Sequence, residues 1–343
     1  NKGDSTMRYP FASMIIKEIA PPMGIIVELE PEYQFAGELV FPDGRRHLFR
    51  NTNFNINPAG STEIAKDKGY TSFFLRKHGF SVPNNRAFFS EKLNANLPES
   101  CRRGLADAIN YAKNVGFPVY IKPNNLSQGA FVTKAYHPNN VYTVAGQIFY
   151  RTDVLLVEEA CSGRDYRIVV LGNKIISAYE RIFLTVEGDS RHTIAELLQI
   201  AKDNLKDLGR PNSEIDPSDF RIDIKLEAIG KSRNTIPLCG ERIALLDNAN
   251  LSTGGTSVDV TDSIHASFAE IAVKATKTLG LQFCGVDILT DDLTQDATTQ
   301  NWNIIELNAA PGLDNYSSLG SVQADRVKGL YKQILEYLAT HDV

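Results

Sequence analysis

The chain has 343 residues, enough for one large hydrophobic core or for two or three small ones. Hydrophobic residues make up 43% and charged residues 22%, which is ordinary for a globular protein. A net charge of −5, a pI near 5.8 and no Lys/Arg run longer than two residues argue against a nucleic-acid-binding surface.

The cysteines and the apolar stretches argue against three further classes of protein: disulfide-rich, zinc-binding and membrane-spanning proteins. The four cysteines show no CxxC spacing, so we expect reduced thiols and neither a disulfide frame nor a zinc site. No apolar stretch approaches the roughly 18 residues of a membrane span. The polar start Asn1–Thr6 has no signal-peptide pattern, and we expect a cytoplasmic protein without membrane or nucleic-acid partners.

Residues 8–58 predict strands without a helix between them. Ile25–Leu29 and Gly37–Phe41 are β-rich, and an Asp-Gly turn at Asp43-Gly44 precedes a third apolar run. We therefore treat residues 1–59 as a short β-rich N-terminal region.

The next segments predict two helices and a strand. Ser61–Gly79 has the pattern of one amphipathic helix, with Phe73 and Phe74 on its packed face. A second helix is predicted over residues 99–116, and the β-rich run after it ends at Lys122. A lysine at the end of a buried strand is costly unless it is paired.

A buried strand from Val154 and a hairpin follow. The Glu158-Glu159 pair at the strand end is either a ligand-binding pair or a structural charge pair. The hairpin spans residues 166–181 and turns at Gly172-Asn173. Thr193, with Glu196 three residues later, predicts a capping box that opens a helix running to Leu208.

Residues 209–249 are polar and predict irregular structure, with a hairpin near Ile236–Ile243. The loop Asn250–Thr256 contains Gly254-Gly255, which permits positive φ and a close backbone approach to a ligand. Helices are predicted over Ser263–Gly280 and Ala324–Leu338.

Two short apolar runs between Cys284 and Gly312 flank a polar loop. The first carries Asp287, and the second carries Glu306 and Asn308. A hairpin would bring Asp287 opposite Glu306, and residues two apart on a strand share a face. Two carboxylates and an amide oxygen suit Mg²⁺ better than Zn²⁺. The alternative is an amphipathic hairpin with solvated charges, but the Pro-Gly turn directly afterwards favours the metal site.

These motifs resemble the ATP-grasp ligases. The matching stretches are Asn250–Thr256, Cys284–Asp287 and Glu306–Gly312, and they are most similar to the ATP-grasp domain of cyanophycin synthetase and of bifunctional glutathione synthetases. The resemblance implies an α/β (α+β) fold in which two α+β subdomains grip ATP. It divides the chain into a reduced N-terminal region (1–59), a central subdomain with a lid (60–160) and a C-terminal subdomain with the metal site (161–343).

The resemblance also implies a set of cofactors and ligands. The cofactors are ATP and Mg²⁺, with Mn²⁺ as an alternative, and the metal ligands are the Asp287, Glu306 and Asn308 set. Lys122 and Lys68 offset phosphate charge, although Lys68 taken alone also fits a solvated helix lysine. The implied lid, residues 124–132, holds one glycine where the family has several, which predicts a stiffer lid. The remaining nucleotide ligands are Ser127, Gln128 and Gly129 for phosphate, Glu158, Glu159 and Cys161 for adenine, and Asp165 for ribose.

Catalytic and substrate residues are implied in the same way. Arg181 stands where these ligases place an arginine near the reacting phosphate, and Arg167 lies in register with a polar face. Residues 187–198 resemble the Gly-Asp-Gly-x-His-Thr-Ile loop of cyanophycin synthetase, which directs His192 into the site; the alternative is a structural histidine. The backbone N–H of Gly312 would meet an oxyanion. Substrate contacts are implied for Asn250, Gly254 and Gly255.

The implied activity is an ATP-dependent carboxylate–amine ligase that forms an amide or peptide bond through an acyl phosphate, with release of ADP and phosphate. The implied partners are a small-molecule carboxylate and an amine, namely an amino acid or a short peptide, and the family favours a homodimer. Three alternatives stay open: a ligase that modifies a peptide or protein tail, phosphoryl transfer to an alcohol, and a nucleotide-binding protein without ligase turnover.

Overall fold

The computed structural model describes residues 10–126, 129, 131–207 and 214–341, apart from the side chains of residues 206 and 207. The N-terminal part holds α1 (Phe11–Ile19), β1 (Ile26–Leu29), β2 (Ala36–Val40) and β3 (Arg46–Arg50). The central part holds α2 (Ala59–Lys66), α3 (Lys68–Lys77), β4 (Asn85–Phe89), α4 (Glu91–Ala95), α5 (Leu105–Val115), β5 (Val119–Pro123), β6 (Thr133–Ala135), α6 (Pro138–Phe149) and β7 (Val154–Glu159).

The C-terminal part is the longest. It holds β8 (Arg164–Leu171), β9 (Lys174–Ile182), β10 (Thr185–Glu187), α7 (Ile194–Asp207), α8 (Phe220–Ala228), β11 (Arg242–Ala244), β12 (Thr256–Asp259), α9 (Ala266–Thr278), β13 (Phe283–Thr290), β14 (Trp302–Asn308), α10 (Asp314–Ser317) and α11 (Ser321–Thr340). Among these helices none combines the length and the apolar character needed to cross a bilayer.

Four antiparallel sheets organise the described residues. The large sheet has the order β12-β9-β8-β13-β14, and the central sheet has the order β4-β7-β5-β6. The N-terminal sheet is β1-β2-β3, and the small sheet pairs β10 with β11. The predicted α/β (α+β) fold class is confirmed.

The buried apolar side chains of the described residues form four clusters. One joins the N-terminal part to α11 and one face of the large sheet, with Leu39 and Tyr331 both fully buried in it. The opposite face of the large sheet packs on α9, the central sheet packs on α5 and α6, and the small sheet packs on α7 and α8. The N-terminal part therefore shares its core with the C-terminal part. The predicted boundaries after residues 59 and 160 stay predictions.

The hairpin and capping patterns gave correct local structure. The β2–β3 turn contains Gly44 at φ 87°, and the β8–β9 turn contains Gly172 at φ 59°. The N–H of Thr193 donates to the Glu196 carboxylate at 2.7 Å, and the Glu196 N–H donates to the Thr193 hydroxyl at 3.3 Å, so the capping box is present. Its helix reaches Asp207, and the predicted end at Leu208 lies outside the described residues.

The prediction of one helix over Ser61–Gly79 is wrong. The chain breaks at Asp67, whose backbone is extended (φ −97°, ψ 107°) and whose carboxylate accepts the Tyr70 N–H at 2.8 Å. An aspartate that caps a helix satisfies N–H groups that have no partner within the helix, which favours a new start at this position. The break makes Lys68 the first residue of α3. Phe73 is 56% exposed, so it does not lie on a packed face.

Two further predictions failed between residues 209 and 249. The segment contains α8, whose N-cap Asp219 accepts the Arg221 N–H at 3.0 Å. The hairpin near Ile236–Ile243 is absent from the described structure, because β11 pairs with the distant β10 instead. A further helix, α1, precedes the N-terminal strands, where no helix was predicted.

Candidate active site

A cleft between the central sheet and the large sheet is the candidate active site. The empty space between its walls, counted together with the solvent at its open mouth, is about 800 Å³. Both sheets supply polar walls: Tyr120, Lys122, Glu158 and Glu159 come from the central sheet, and Asp165, Arg181, Asp287 and Glu306 come from the large sheet. A ligand in this cleft would contact both sheets at once.

One row of side chains crosses all five strands of the large sheet. Strand pairing places Asp287 opposite Glu306 on one side and opposite Arg167 on the other. The row continues through Tyr179 to Asp259. Directly opposed residues share a face of a sheet. The predicted juxtaposition of Asp287 and Glu306 is therefore confirmed, and a β-bulge follows immediately after Asp287.

Two arginines and two aspartates form a buried network on this face. Arg167 donates to both Asp287 oxygens, from Nε at 2.6 Å and from Nη2 at 2.7 Å. Arg181 donates through Nη2 to Asp287 at 2.8 Å and to Asp165 at 2.6 Å. Charge-assisted bonds of this geometry hold the side chains in fixed positions. The resemblance placed Arg181 near a reacting phosphate, and Arg167 was predicted in register with a polar face. The structure brings both side chains onto the predicted metal ligand Asp287.

The two aspartates of this network differ electrostatically. Burial alone would raise the pKa of Asp287, but the guanidinium groups of Arg167 and Arg181 outweigh it and hold that pKa below its usual value. Burial raises the pKa of Asp165, and the Arg181 guanidinium offsets only part of this effect, while the nearby Asp287 carboxylate adds to it. Asp287 is thus the more firmly ionised of the two carboxylates.

The buried lysine at the end of β5 has a protein partner. Lys122 Nζ lies 2.6 Å from Glu158, and both side chains are nearly fully buried. Glu159 instead accepts the N–H and the side-chain amide of Asn84, at 2.9 and 3.0 Å. The expectation that a buried lysine needs a partner holds, and the partner here is one of the two predicted adenine-site glutamates.

Lys68 is buried, so the alternative of a solvated helix lysine is wrong. Its Nζ donates to the Leu126 carbonyl at 2.9 Å and lies 3.3 Å from the Glu306 carboxylate. The break at Asp67 creates this geometry, because it turns the first residue of α3 toward the large sheet. Asn124 at the base of the lid reinforces the break by donating to the Asp67 carboxylate at 2.6 Å.

Gly129, the one glycine of the predicted lid, lines the cleft at a point where an added side chain would displace two asparagine side chains. Its φ is +65°, and an added Cβ would lie 1.7 Å from Nδ2 of Asn250 and 2.6 Å from Nδ2 of Asn248. Its carbonyl accepts from Asn248 at 3.2 Å. The lid therefore contacts the Asn248–Asn250 segment directly. The predicted phosphate ligands Ser127 and Gln128 lie outside the described residues.

The predicted metal ligands have suitable chemistry for a hard divalent cation. Asp287 and Glu306 are opposed on neighbouring strands, and Asn308 follows on the same strand as Glu306. Described partners occupy three of the roughly four lone-pair positions of the Asp287 carboxylate. A cation with so few protein ligands completes its shell with water and phosphate oxygens, which is the habit of Mg²⁺. No group of three or more His, Cys, Asp or Glu side chains suited to a metal occurs in the described ranges, and the predicted set itself has only two acids.

Several predicted site residues do not line the cleft as the described residues form it: Arg167, His192, Gly254, Gly255, Asn308 and Gly312. His192 does not point into the site, since its Nδ1 lies 2.6 Å from Asp189 and its side chain is 47% exposed. The bond to Asp189 raises the pKa of His192. The structural alternative is favoured for this histidine.

Packing explains why residues 254 and 255 are glycines, because a side chain at either position would clash with neighbouring residues. A Cβ at Gly254 would lie 2.5 Å from Ile215, and one at Gly255 would lie 2.7 Å from the Ile182 carbonyl. The sequence predicted that the backbone at these glycines approaches a ligand closely. In the structure, the backbone at these glycines approaches other residues of the protein. Their substrate role stays a prediction.

Sequence reasoning missed several residues that line the cleft. Tyr120, Asp247 and Asn248 contribute polar groups, and Leu289 and Ile305 contribute apolar surface. The Tyr120 hydroxyl donates to the Asp247 carbonyl at 3.2 Å, a contact between residues 127 positions apart. Of these residues, only Asn248 could have been suspected from the sequence, because it lies two residues before the predicted substrate contact Asn250.

The alkylation rates of the four cysteine thiols would test the assignment of Cys161 to the adenine site. Burial, followed by the Glu159 and Glu158 carboxylates, raises the pKa of Cys161 to about 11, and burial raises that of Cys284 to about 12. Cys101 and Cys239 are exposed. At pH 8 we expect iodoacetamide to modify the exposed pair quickly, Cys161 slowly and Cys284 not at all, because the thiolate is the reactive form. The Cys161 rate should rise with pH and fall when ATP is added. Peptide mass spectrometry would measure these rates, and a Cys161 rate unaffected by ATP would contradict the adenine-site assignment.

The fold and the site together define a class of protein: an α+β protein that closes two antiparallel sheets over a polar, ion-paired cleft. Residues 247–330 match the family described as the RimK-like ATP-grasp domain. A glutathione biosynthesis bifunctional protein from Clostridium perfringens is 35% identical over 254 residues, which cover 73% of this chain and 31% of that protein. A cyanophycin synthetase from Trichormus variabilis is 32% identical over 259 residues, covering 73% and 27%.

A solved structure agrees with these relatives. The crystal structure of a bifunctional glutathione synthetase from Pasteurella multocida matches with a TM-score of 0.56 and 25% identity, over 96% of this chain and 45% of that one. The chain belongs to the ATP-grasp superfamily. It spans less than a third of the length of the two curated relatives.

Proposed function

We propose that the protein is an ATP-dependent ligase that joins a carboxylate to an amine through an acyl phosphate, with release of ADP and phosphate. The observation that carries the proposal is the row Arg167–Asp287–Glu306 in the large sheet, with Arg181 and Lys68 bonded to its two carboxylates. Acidic ligands interleaved with fixed cations are what in-line attack on a phosphate requires.

The nucleotide would lie between the two sheets. Glu158, Glu159 and Cys161 line one wall, and the apolar residues Leu289 and Ile305 line the other. This pairing of a polar edge with apolar faces suits an adenine ring. Lys122 and Lys68 stand along the same cleft and would offset phosphate charge.

A Mg²⁺ or Mn²⁺ ion bound by Asp287, Glu306 and Asn308 would neutralise charge on the phosphate oxygens. The protein's own contribution is the fixed position of Arg181. Four of its five N–H groups have described partners: Asp165 takes the Nε–H and one Nη2–H, Asp287 takes the other, and Asn250 takes one Nη1–H at 3.4 Å. The second Nη1–H is the donor that Arg181 can present to a phosphate or oxyanion at the cleft.

For the substrates we propose an amino acid or short peptide as the acid, and an amine of the same class. The support is that the relatives are named for glutathione biosynthesis and cyanophycin synthesis. A screen for ADP release over pairs of amino acids and short peptides, followed by mass spectrometry of the product, would identify both partners. ADP release that requires both an acid and an amine is the expected result.

Hydroxylamine trapping tests the intermediate. With ATP, divalent cation, the identified acid and no amine, we expect the wild type to give a hydroxamate. Arg181→Lys keeps the charge but loses the planar fork that spans Asp165 and Asp287, so we expect about a hundredfold less hydroxamate. Arg164→Lys is the matched control, because Arg164 is half-exposed and pairs with Glu180. No hydroxamate, with a phosphorylated alcohol accumulating instead, would replace the ligase proposal by a phosphotransferase.

A further inference from the structure

Helix α8 buries its two faces in two different parts of the molecule. Ile222 and Leu226 pack into the cluster formed by the small sheet and α7. Ile224 packs into the cluster of the central sheet, with α5 and α6. A nine-residue helix with apolar residues on both sides can bridge two cores. Helix α8 therefore connects the segment between β9 and β12 to the central sheet.

Arg221 and Lys225 extend this bridge on the side of the helix that faces the central sheet. They lie four residues apart, so they occupy neighbouring positions on one helix face. Arg221 is 9% exposed and is fixed by the Asp219 carboxylate, from Nη2 at 2.6 Å and from Nε at 2.9 Å. Its Nη1 donates to the carbonyl of Gly129 at 2.9 Å and to that of Val132 at 3.4 Å.

Lys225 makes the second connection. Its Nζ donates to the Asp247 carboxylate at 2.6 Å, and the other Asp247 oxygen accepts from the Tyr136 hydroxyl at 3.0 Å. The Asp247 carbonyl also accepts from the Tyr120 hydroxyl. Both tyrosines belong to or adjoin the central sheet, and Asp247 lines the cleft. Burial, with the nearby Asp247 carboxylate, raises the pKa of both tyrosines, so their hydroxyls stay protonated donors.

These contacts share one geometric property. The bonds from Arg221 and Asp247 to Gly129, Tyr120 and Tyr136 join the central sheet to the segment between β9 and β12, which continues at both ends into strands of the large sheet. A movement of the central sheet away from that segment would break these bonds together. They lie outside the predicted nucleotide contacts, apart from the backbone of Gly129. Their strength would therefore set how much of the free protein has the cleft width that a ligand needs.

We propose that α8 acts as a clasp and that Arg221 and Lys225 are positioning residues that hold the cleft at the width of the nucleotide. The proposal rests on the proposed function in one respect, namely that the ligand is ATP. A nucleotide needs Lys122 and Glu158 from one wall and Arg181 and Glu306 from the other. When only a fraction of the free protein has both walls in place, the apparent affinity falls by that fraction.

The test compares Lys225→Met with Lys231→Met. Lys231 also pairs with an acid, Glu241 at 2.7 Å, but that pair does not cross the cleft. We expect Lys225→Met to weaken ATP binding about tenfold in calorimetric titrations, through loss of pre-organisation. It should also accelerate hydrogen exchange of the β6 amides in the absence of ATP. Lys225→Arg should restore both, and Tyr136→Phe should give a smaller change in the same direction.

Each outcome decides the proposal. An ATP affinity within twofold of wild type for Lys225→Met, or equal effects of Lys225→Met and Lys231→Met, would overturn it. A higher turnover number together with a raised KM for ATP would support it, because a looser clasp releases product sooner. If the wild type fails to bind ATP, the proposed function is wrong. Faster β6 exchange confined to the Lys225→Met and Tyr136→Phe variants would then still establish the clasp.

Discussion

Replacement of Glu306 by glutamine is expected to lower the turnover of the proposed ligase reaction by at least about a hundredfold, equivalent to about 2.7 kcal/mol in the barrier. The substitution removes one of the two carboxylate charges that would hold the cation and keeps the volume. Little stability should be lost, because the Glu306 side chain is 32% exposed and lies 3.3 Å from Lys68. Since Glu306 is partly exposed and glutamine keeps a polar group beside Lys68, the cost should be smaller than the roughly 3 kcal/mol expected when a fully buried ion pair is broken. Lys68 also keeps its bond to the Leu126 carbonyl.

Two variants make this prediction specific. Glu180→Gln removes a carboxylate from β9, which two strands separate from β14 in the same sheet, and it should leave turnover unchanged because Glu180 pairs with Arg164 at 3.0 Å. Asp287→Asn should abolish turnover and also lower the free energy of unfolding by about 3 kcal/mol, because it leaves two buried guanidinium groups short of a charge partner. Thermal unfolding and ADP release would be measured on all three proteins. Wild-type turnover in Glu306→Gln would remove Glu306 from the metal site.

The features predicted correctly from the sequence are those with local causes. The β13–β14 hairpin follows from two apolar runs around a polar loop, and its register then places Asp287 opposite Glu306. The capping box at Thr193 and the turn at Gly172 follow from patterns a few residues long. In such cases the residues that determine the geometry are neighbours in the chain, so an alternation or a cap is sufficient information.

The partners of the buried charges could not be read from the sequence. Asp287 is bound by Arg167, 120 positions away, and by Arg181, 106 positions away. Each residue stood out as a candidate by itself, but only strand order decides which charges meet. The order β12-β9-β8-β13-β14 is not sequential, and no local pattern specifies it. The cation–carboxylate network in the candidate site is therefore a property of topology.

Other failures show competition between local signals. The helical pattern over residues 61–79 was correct in type, yet Asp67 caps a new helix and so ended the first one. In the segment with α8, polar residues suggested a loop, whereas Arg221 and Lys225 are polar because their helix face binds the central sheet. A charged residue in a helix can thus signal a partner surface as well as solvent.

Variants of the Lys122–Glu158 ion pair can distinguish a role of Lys122 in stability from a role in nucleotide binding. Both side chains are nearly fully buried and lie 2.6 Å apart. Lys122→Met is expected to cost about 3 kcal/mol of unfolding free energy, because it leaves a buried carboxylate unpaired. The double variant Lys122→Met/Glu158→Gln removes both charges and should return to within about 1 kcal/mol of wild type. Chemical denaturation would measure these differences.

Restored stability should not restore ATP binding. If Lys122 holds phosphate, the double variant should bind ATP about a hundredfold more weakly, a loss of about 2.7 kcal/mol. Adenosine, which has no phosphate, should lose only the part of the affinity that depends on Glu158. The ratio of ATP affinity to adenosine affinity is therefore the decisive measurement, because loss of the adenine contact lowers both affinities while loss of the lysine lowers only one. An unchanged ratio in a stable double variant would show that Lys122 serves the fold through Glu158 and has no contact with the phosphates.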